Sequence, residues 1–492
     1  MSVLERLRPL FKPEGVIVTG VSTHPGKFGT VAYHNLLAHG YKGRVFAINR
    51  EGTEILGRPS YKSVLEVPRG EADLAFMCTP NQINEELLRE CAQVGVRAAF
   101  VASAGYGEAG TRGRELEQRL VALGKQLGVK IAGPNGQGLI STPVSMCAQI
   151  VAPYPPPGPI SMVSQSGNIG SSFLNYGCLT GVGFSKGISI GNSAELELAD
   201  YLEYYAEDPE TDVSLAYLEG VEDGRRFLEV ARAHTARKPL VVVQGGVTGA
   251  GKRAAASHTG ALASDERIFA GVCRQAGITR AETVEEGYEA AATFARQPLP
   301  RGARTVVFTV AGGWGVLTAD ACTRAGLDLI PLPDDVRERI DAMVPSRWSR
   351  GNPIDLAGGE TRETVPEVLD LLAAHPDVDA IVYLGIGIQA AQANAFKKGP
   401  FHPDYGLERM VDFHELQDHR YALAASEASE RHQKPILVAS DLVYTDRDYG
   451  NPGPLGVKES GRVAFPSGHR AIKTLAHLVR YARHRRRLNA GT

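Results

Sequence analysis

No apolar run in the 492-residue sequence reaches the roughly 18 residues that a membrane-spanning helix needs, so no transmembrane segment is expected. The opening stretch MSVLERLRPLF is amphipathic but has no apolar core followed by a cleavage site, so no signal peptide and a cytoplasmic location are expected. Cysteine is scarce. Cys78, Cys91, Cys147, Cys178, Cys273 and Cys322 stand singly, and none has C-x-x-C spacing. That excludes a metal or redox site built on paired thiols and fits a reducing compartment. Neither sign of charge is in excess: 53 Lys and Arg against 55 Asp and Glu give a formal net charge of −2, which argues against a general nucleic-acid binder. The one basic run, Arg483, His484, Arg485, Arg486 and Arg487, reads as a solvated helix end. A P-loop is also missing, and the turn after the first strand is not G-x-G-x-x-G.

Short apolar runs alternate with longer helical patterns through most of the chain. Residues 16–19, 44–48, 72–77, 98–101 and 130–132 read as buried parallel strands, with helical spacing at 30–39, 83–94 and 112–127. This βαβ rhythm predicts a doubly wound sheet. A proline-rich stretch, 152–159, follows. Proline cannot continue a helix interior or a central strand, so a stiff linker and a domain boundary are expected there. The rhythm restarts at 160–163, with strand-like runs at 183–190, 213–218 and 239–244. A second boundary is expected at 296–302, and a third unit has strands at 305–310, 380–384 and 435–439. Its stretch 389–430 is polar and poorly patterned. The second and third units open alike, with a strand, a Ser/Gly-rich turn and a helix, as a structural repeat would. The expected domains are residues 1–151, 158–298 and 303–492.

Three glycine turns stand between a strand and a helix, where free amides and the helix dipole favour an anion. The first is Thr19-Gly-Val-Ser-Thr-His-Pro-Gly-Lys-Phe-Gly29. A dinucleotide site would want an acidic residue at the end of the second strand, but Asn49 and Arg50 stand there. A cation at that place favours a phosphorylated ribose, as in NADP or in the 3′-phosphate of CoA. The second turn, Ser164-Gln165-Ser166-Gly167, adds two hydroxyls, and the third is Val310-Ala-Gly-Gly-Trp-Gly315. Among 13 histidines, His258 is distinguished by small neighbours in Ala254-Ala-Ala-Ser-His-Thr-Gly-Ala-Leu262. No cysteine or second histidine lies at ligand spacing, so no metal site is expected. Two readings remain: a structural histidine, or a neutral imidazole that attacks a phosphoryl group while a carboxylate holds its other nitrogen.

Together these residues resemble the ADP-forming acetyl-CoA synthetase family and, more distantly, the α subunit of succinyl-CoA synthetase. The resemblance runs over nearly the whole chain. It implies a Rossmann-like CoA-binding domain followed by two flavodoxin-like doubly wound domains. The opening turn looks like the family's CoA loop, which assigns Ser22, Lys27 and Gly29 to CoA, with Asn49, Arg50, Pro80 and Asn135. Ser164, Ser166 and Gly167, with Gly313 in the third unit, are implied to bind phosphate. The segment Ser257-His-Thr-Gly-Ala-Leu262 matches the family's phosphohistidine and points to His258. Tyr217-Leu-Glu-Gly220 matches the strand end that orients it, which points to Glu219. The sequence departs from the family pattern at Gly136 (cysteine is frequent), Gln244 (lysine), Ser264 (glycine) and Trp314 (a smaller residue).

The resemblance implies an acid–CoA ligase, with CoA bound here and ATP or ADP with Mg bound on a partner. The family's ATP-grasp domain is not expected in this chain, so the partner would be an ATP-grasp β subunit in a hetero-oligomer. The acid or acyl-CoA would be a small molecule. The alternatives are a non-catalytic CoA-binding regulatory protein, which Gln244 and Trp314 keep open, and an NADP-dependent oxidoreductase, for which no hydride-transfer constellation is present.

Overall fold

The computed structural model describes residues 2–151, 153–253, 265–359, 361–443 and 450–490. It is an α/β structure with three sheets. The first holds β1 (Gly15–Thr19), β2 (Arg44–Ala47), β3 (Leu74–Met77), β4 (Ala98–Val101) and β5 (Lys130–Ala132), all parallel, in the order β2-β1-β3-β4-β5. These strands are apolar on both faces because helices cover both faces. Val16, Val18, Phe76 and Phe100 face one core, while Ile17, Ala75, Met77 and Val101 alternate into another.

The second sheet repeats that winding. It holds β8 (Pro157–Ser164), β9 (Phe184–Ser189), β10 (Val213–Leu218), β11 (Leu240–Gln244) and β12 (Thr279–Ala281). Its order is β12-β11-β10-β8-β9, extended by antiparallel β6 (Gly138–Ser141) and β7 (Met146–Gln149). The third sheet holds β13 (Arg304–Thr309), β14 (Asp328–Leu329), β16 (Ala380–Leu384), β17 (Ile436–Ala439) and β18 (Ala464–Phe465), in the order β14-β13-β16-β17-β18. A short β15 (Ile354–Asp355) also pairs with β13. Counting each sheet's own parallel strands, and leaving β15 aside, all three have the order 2-1-3-4-5. In that order the strand sequence reverses beside the first strand, which opens a crevice at the carboxyl ends of strands 1 and 3.

The chain divides into two compact units, 1–179 with 183–291, and 180–182 with 292–492. The first two sheets form one unit because they share a core. Val18, Phe76 and Phe100 of the first sheet join Val163, Ile188, Ala216 and Val242 of the second. The third sheet has its own core around Phe308, Trp348, Leu369 and Tyr383.

Four features differ from the expectations. The proline-rich stretch is not wholly a linker, since β8 begins at Pro157 and lies between β10 and β9. The prolines donate nothing, but their carbonyls accept, from Phe184 N–H at Pro156 (3.1 Å) and from Asp212 N–H at Pro159 (2.8 Å). The ladder shifts register between Pro157 and Ser161 to accommodate them. Residues before the expected boundary, in β6 and β7, belong to the second sheet rather than the first. The poorly patterned stretch 389–430 falls largely in two helices, Ile388–Lys397 and Leu407–His432. The basic run lies in the last turns of the helix Gly468–Ala490, where His484 and Arg485 are half-buried rather than solvated.

Candidate functional site

The crevices of the first two sheets open into one cleft of about 1200 Å³ within the first unit. On the first wall, β1 ends in a turn at Gly20 (φ +73°) and leads into α2 (Phe28–Ala38). The turn is braced internally. Ser22 N–H donates to Thr30 Oγ1 (3.0 Å), Thr30 Oγ1–H to the Ser22 carbonyl (2.7 Å), and His24 N–H to Ser22 Oγ (3.2 Å). Lys27 is the N-cap in extended conformation with no side-chain cap bond, and the first turn of α2 carries no acidic residue. A cation and uncapped amides therefore stand together at a helix N-terminus. Gly29 is buried, and a Cβ on it would fall 2.5 Å from the Gly20 carbonyl oxygen, so glycine there lets α2 close onto β1. Pro80, after β3, lies across the switch point and lines the cleft with Ser22 and Lys27.

The second wall forms at the corresponding place in the second sheet. β8 ends at Ser164, and α5 (Gly167–Thr180) starts after a two-residue turn. Ser164 is fully buried and its hydroxyl donates to the Ser166 carbonyl (2.5 Å), so it shapes the turn. Ser166 and Gly167 line the cleft, and the first turn of α5 has no acidic residue, which leaves the helix dipole open to an anion. Glu219, just past the end of neighbouring β10, is 7% exposed. Its Oε1 accepts from the Tyr217 hydroxyl at 3.2 Å. Burial, with the Glu219 charge adding to it, pushes the Tyr217 phenol up to about 12, so it stays a donor. Gly245 packs against this pair, and a Cβ there would meet Tyr217 and Glu219.

Two turns join the walls. Asn135 (φ +63°) and Ser193 (φ +55°) both adopt left-handed backbone. Asn192 N–H donates to the Pro134 carbonyl (2.9 Å) and Ala194 N–H to that of Gly133 (3.0 Å). The Asn192 amide donates to Glu108 (2.6 Å) and Glu117 (2.8 Å) and accepts from Asn135 (3.3 Å). Burial raises the Glu108 pKa, but the Asn192 amide and the N–H groups of Gly105 and Tyr106 outweigh it and hold the carboxyl below its usual range. At Gly136, a Cβ would come 2.6 Å from the Phe100 ring, so the cysteine that the resemblance would place here has no room.

Of the residues expected from sequence, the cleft brings together Ser22, Lys27, Pro80, Asn135, Ser166 and Gly167. Gly29, Ser164 and Glu219 stand behind its surface. Asn49 does not line it; its amide donates to the Val21 carbonyl (2.9 Å) and its oxygen accepts from Glu51 N–H (3.0 Å). Arg50 beside it is exposed at the same carboxyl edge. Gly313 is exposed in the helix Gly312–Ala325 of the other unit and is not in this cleft. Gln244 ends β11, buried, opposite Leu218 of β10. His258 and Ser264 lie outside the described residues. Sequence reading passed over Gln137, Gln165 and Asn192, all in the cleft. Only Gln165 carried a signal, its place inside the serine turn.

Comparison with known proteins bears on all three sheets. Residues 14–141 match the CoA binding domain family, 157–294 the succinyl-CoA ligase like flavodoxin domain, and 305–389 the ligase-CoA domain. The chain is 33% identical over 482 residues to the acetate–CoA ligase [ADP-forming] I subunit alpha of Pyrococcus furiosus, covering 97% of this chain and 98% of that one. It is 38% identical over 373 residues to the acetate–CoA ligase [ADP-forming] I of Archaeoglobus fulgidus, 76% of this chain but 54% of that longer protein. Among solved structures it is similar to the dinucleotide forming acetyl-coenzyme A synthetase 1 of Ca. Korarchaeum cryptofilum in complex with phosphate and ADP. The TM-score is 0.83 at 30% identity, covering 99% of this chain and 98% of that one.

Proposed function

The chain belongs to the ADP-forming acetate–CoA ligase family, and from that premise we propose that it is the α subunit of an acid–CoA ligase working through a phosphohistidine at His258. The reaction is acyl-CoA + phosphate + ADP ⇌ acid + CoA + ATP. The reading of a non-catalytic CoA-binding protein is not favoured by the company the chain keeps, which is named for ligases. The observation that carries the proposal is the single cleft with a cationic helix start on one wall and a serine-glycine helix start on the other.

The first wall fits CoA. The Gly20–Gly29 approach leaves a cradle that side chains would fill, Lys27 and the α2 amides suit a diphosphate, and Arg50 suits the ribose phosphate. The second wall suits inorganic phosphate and the developing charge of a transferring phosphoryl group, through Ser166, Gly167 and the α5 dipole. Phosphate attacks the thioester carbonyl, CoA leaves as its thiol, and an acyl phosphate forms. His258 then takes the phosphoryl group and releases the acid, with Glu219 holding the ring tautomer and stabilising the imidazolium. The group passes to ADP, which with Mg is assigned to an ATP-grasp β subunit.

The test uses the chain with its partner, labelled ATP and Mg²⁺. An acid-labile, base-stable label is expected on the parent and absent from His258→Asn, with CoA binding unchanged. Glu219→Gln should slow labelling by about 2.7–4 kcal/mol of barrier, the usual loss for a preorganised electrostatic contact. Full labelling of His258→Asn would place the phosphoryl carrier elsewhere.

A further inference from the structure

Gln165 lies between Ser164, which shapes the turn, and Ser166, which lines the cleft, and its side chain is bonded to the strand end beside it. Its amide nitrogen donates to the Gly220 carbonyl at 2.9 Å. Its amide oxygen accepts from Glu219 N–H at 2.5 Å and from Gly220 N–H at 3.3 Å. Its backbone N–H donates to the Tyr217 carbonyl at 3.1 Å. β8 and β10 are parallel partners, and their last registered pair is Ser164 with Tyr217. β8 then turns into α5 and can offer Glu219 and Gly220 no further backbone partner. The Gln165 carboxamide has the same donor and acceptor as a peptide group and continues the ladder by side chain. The backbone of Glu219 is thereby fixed to the turn that opens α5. A glutamate backbone free to swing would lose its register with the phosphate wall, and misplacement of about 1 Å can cost roughly 100-fold in rate.

We propose that Gln165 is a positioning residue for the ligase reaction: it locks the strand end carrying Glu219 to the serine-glycine turn, so that carboxylate and phosphate cradle move as one body. This rests on the reading of Glu219 as the group that orients the phosphorylated histidine. Methionine matches the length of glutamine but makes none of the three side-chain bonds. Asparagine keeps the amide but is one methylene short of reaching both Gly220 and Glu219.

The experiment uses the complex of this chain with its partner and measures the rate of phosphohistidine labelling, kcat, and the KM for CoA. The variants are Gln165→Met, Glu219→Gln and the double variant. Gln165→Met is expected to lower labelling and kcat by roughly 10- to 100-fold with the KM for CoA unchanged, because the CoA wall is built from other residues. The double variant is expected to label no more slowly than the slower single variant, because Gln165 acts only through Glu219. Gln165→Asn takes its place in the cycle if the methionine variant does not fold. A double variant whose loss is the product of the single losses would overturn the proposal, as would Gln165→Met labelling at the parent rate. If Glu219→Gln itself labels at the parent rate, the role of Glu219 fails and the proposal falls with it. Slow Glu219→Gln beside an unaffected Gln165→Met removes the positioning role alone.

Discussion

At the residue scale, the pair Asn49 and Arg50 divides its work. Asn49 spends its side chain on the Val21 carbonyl and the Glu51 amide, and so fixes the loop after β2 against the loop after β1. Arg50, on the next position, is exposed. If it meets the 3′-phosphate of CoA, Arg50→Glu should weaken CoA by at least about 1.5–3 kcal/mol, the worth of a charged hydrogen bond. Dephospho-CoA should be weakened much less. Calorimetric titration with both ligands checks this, and equal losses would remove the assignment. The sequence held the identities of these groups but not their division of labour. A serine in a glycine turn can face the cleft, as Ser166 does, or fold back on the turn, as Ser164 does. Composition does not distinguish the two, since both have the same atoms and only the hydroxyl direction differs. Asn192 was invisible for another reason. Its partners Glu108 and Glu117 are 84 and 75 positions away in sequence, and no local spacing encodes them.

At the element scale, the central strands were legible because burial on both faces leaves an unbroken apolar run, as in β4 (Ala98–Val101) and β10 (Val213–Leu218). Short edge strands, such as β14 with two residues, carry too few side chains to show a period. The long helix Leu407–His432 hid because its buried positions include Gln417, Asp418, Ser426 and Ser429, which read as a polar stretch. β9 holds a charge that apolar patterning would not place there: Lys186 is fully buried, donating to Asp208 (2.7 Å) and Glu210 (2.6 Å). Asp208 also accepts from Thr211 (2.7 Å), while Lys12, beyond α1 (Val3–Phe11), pairs with Glu210 at 2.8 Å. The cluster thus ties the N-terminal helix, β9 and the end of α6 (Leu198–Glu207) together. Lys186→Met should destabilise the unit by about 3–5 kcal/mol, because it strands a buried carboxylate. Lys12→Met, at a partly exposed pair, should cost less than about 1 kcal/mol. Urea midpoints of the two variants test the contrast, and equal shifts would show that Asp208 finds another partner or water.

At the scale of the whole molecule, one winding occurs three times, and two of the three copies share a core and a cleft. Fusing two switch points makes a site that neither sheet could make alone, since each supplies one helix N-terminus. In the function proposed above, those two starts take CoA and phosphate. They leave the nucleotide without an assigned seat, and the sequence has no P-loop. The relatives divide in a matching way. This chain spans 98% of a protein named as a subunit alpha, but 54% of a longer protein named as a ligase with no subunit given. Placing the nucleotide on a partner chain makes a clear prediction for the isolated protein. It should bind CoA, because the first wall is complete within its own unit. It should form no ATP above background from acyl-CoA, ADP, phosphate and Mg²⁺, because the phosphoryl group would have no acceptor in place. Adding the ATP-grasp subunit should start ATP formation. A coupled luciferase assay on the purified chain, with its partner excluded by mass spectrometry, reads this directly. Sustained ATP formation by the chain alone would move the nucleotide site onto it and overturn the division of labour proposed here.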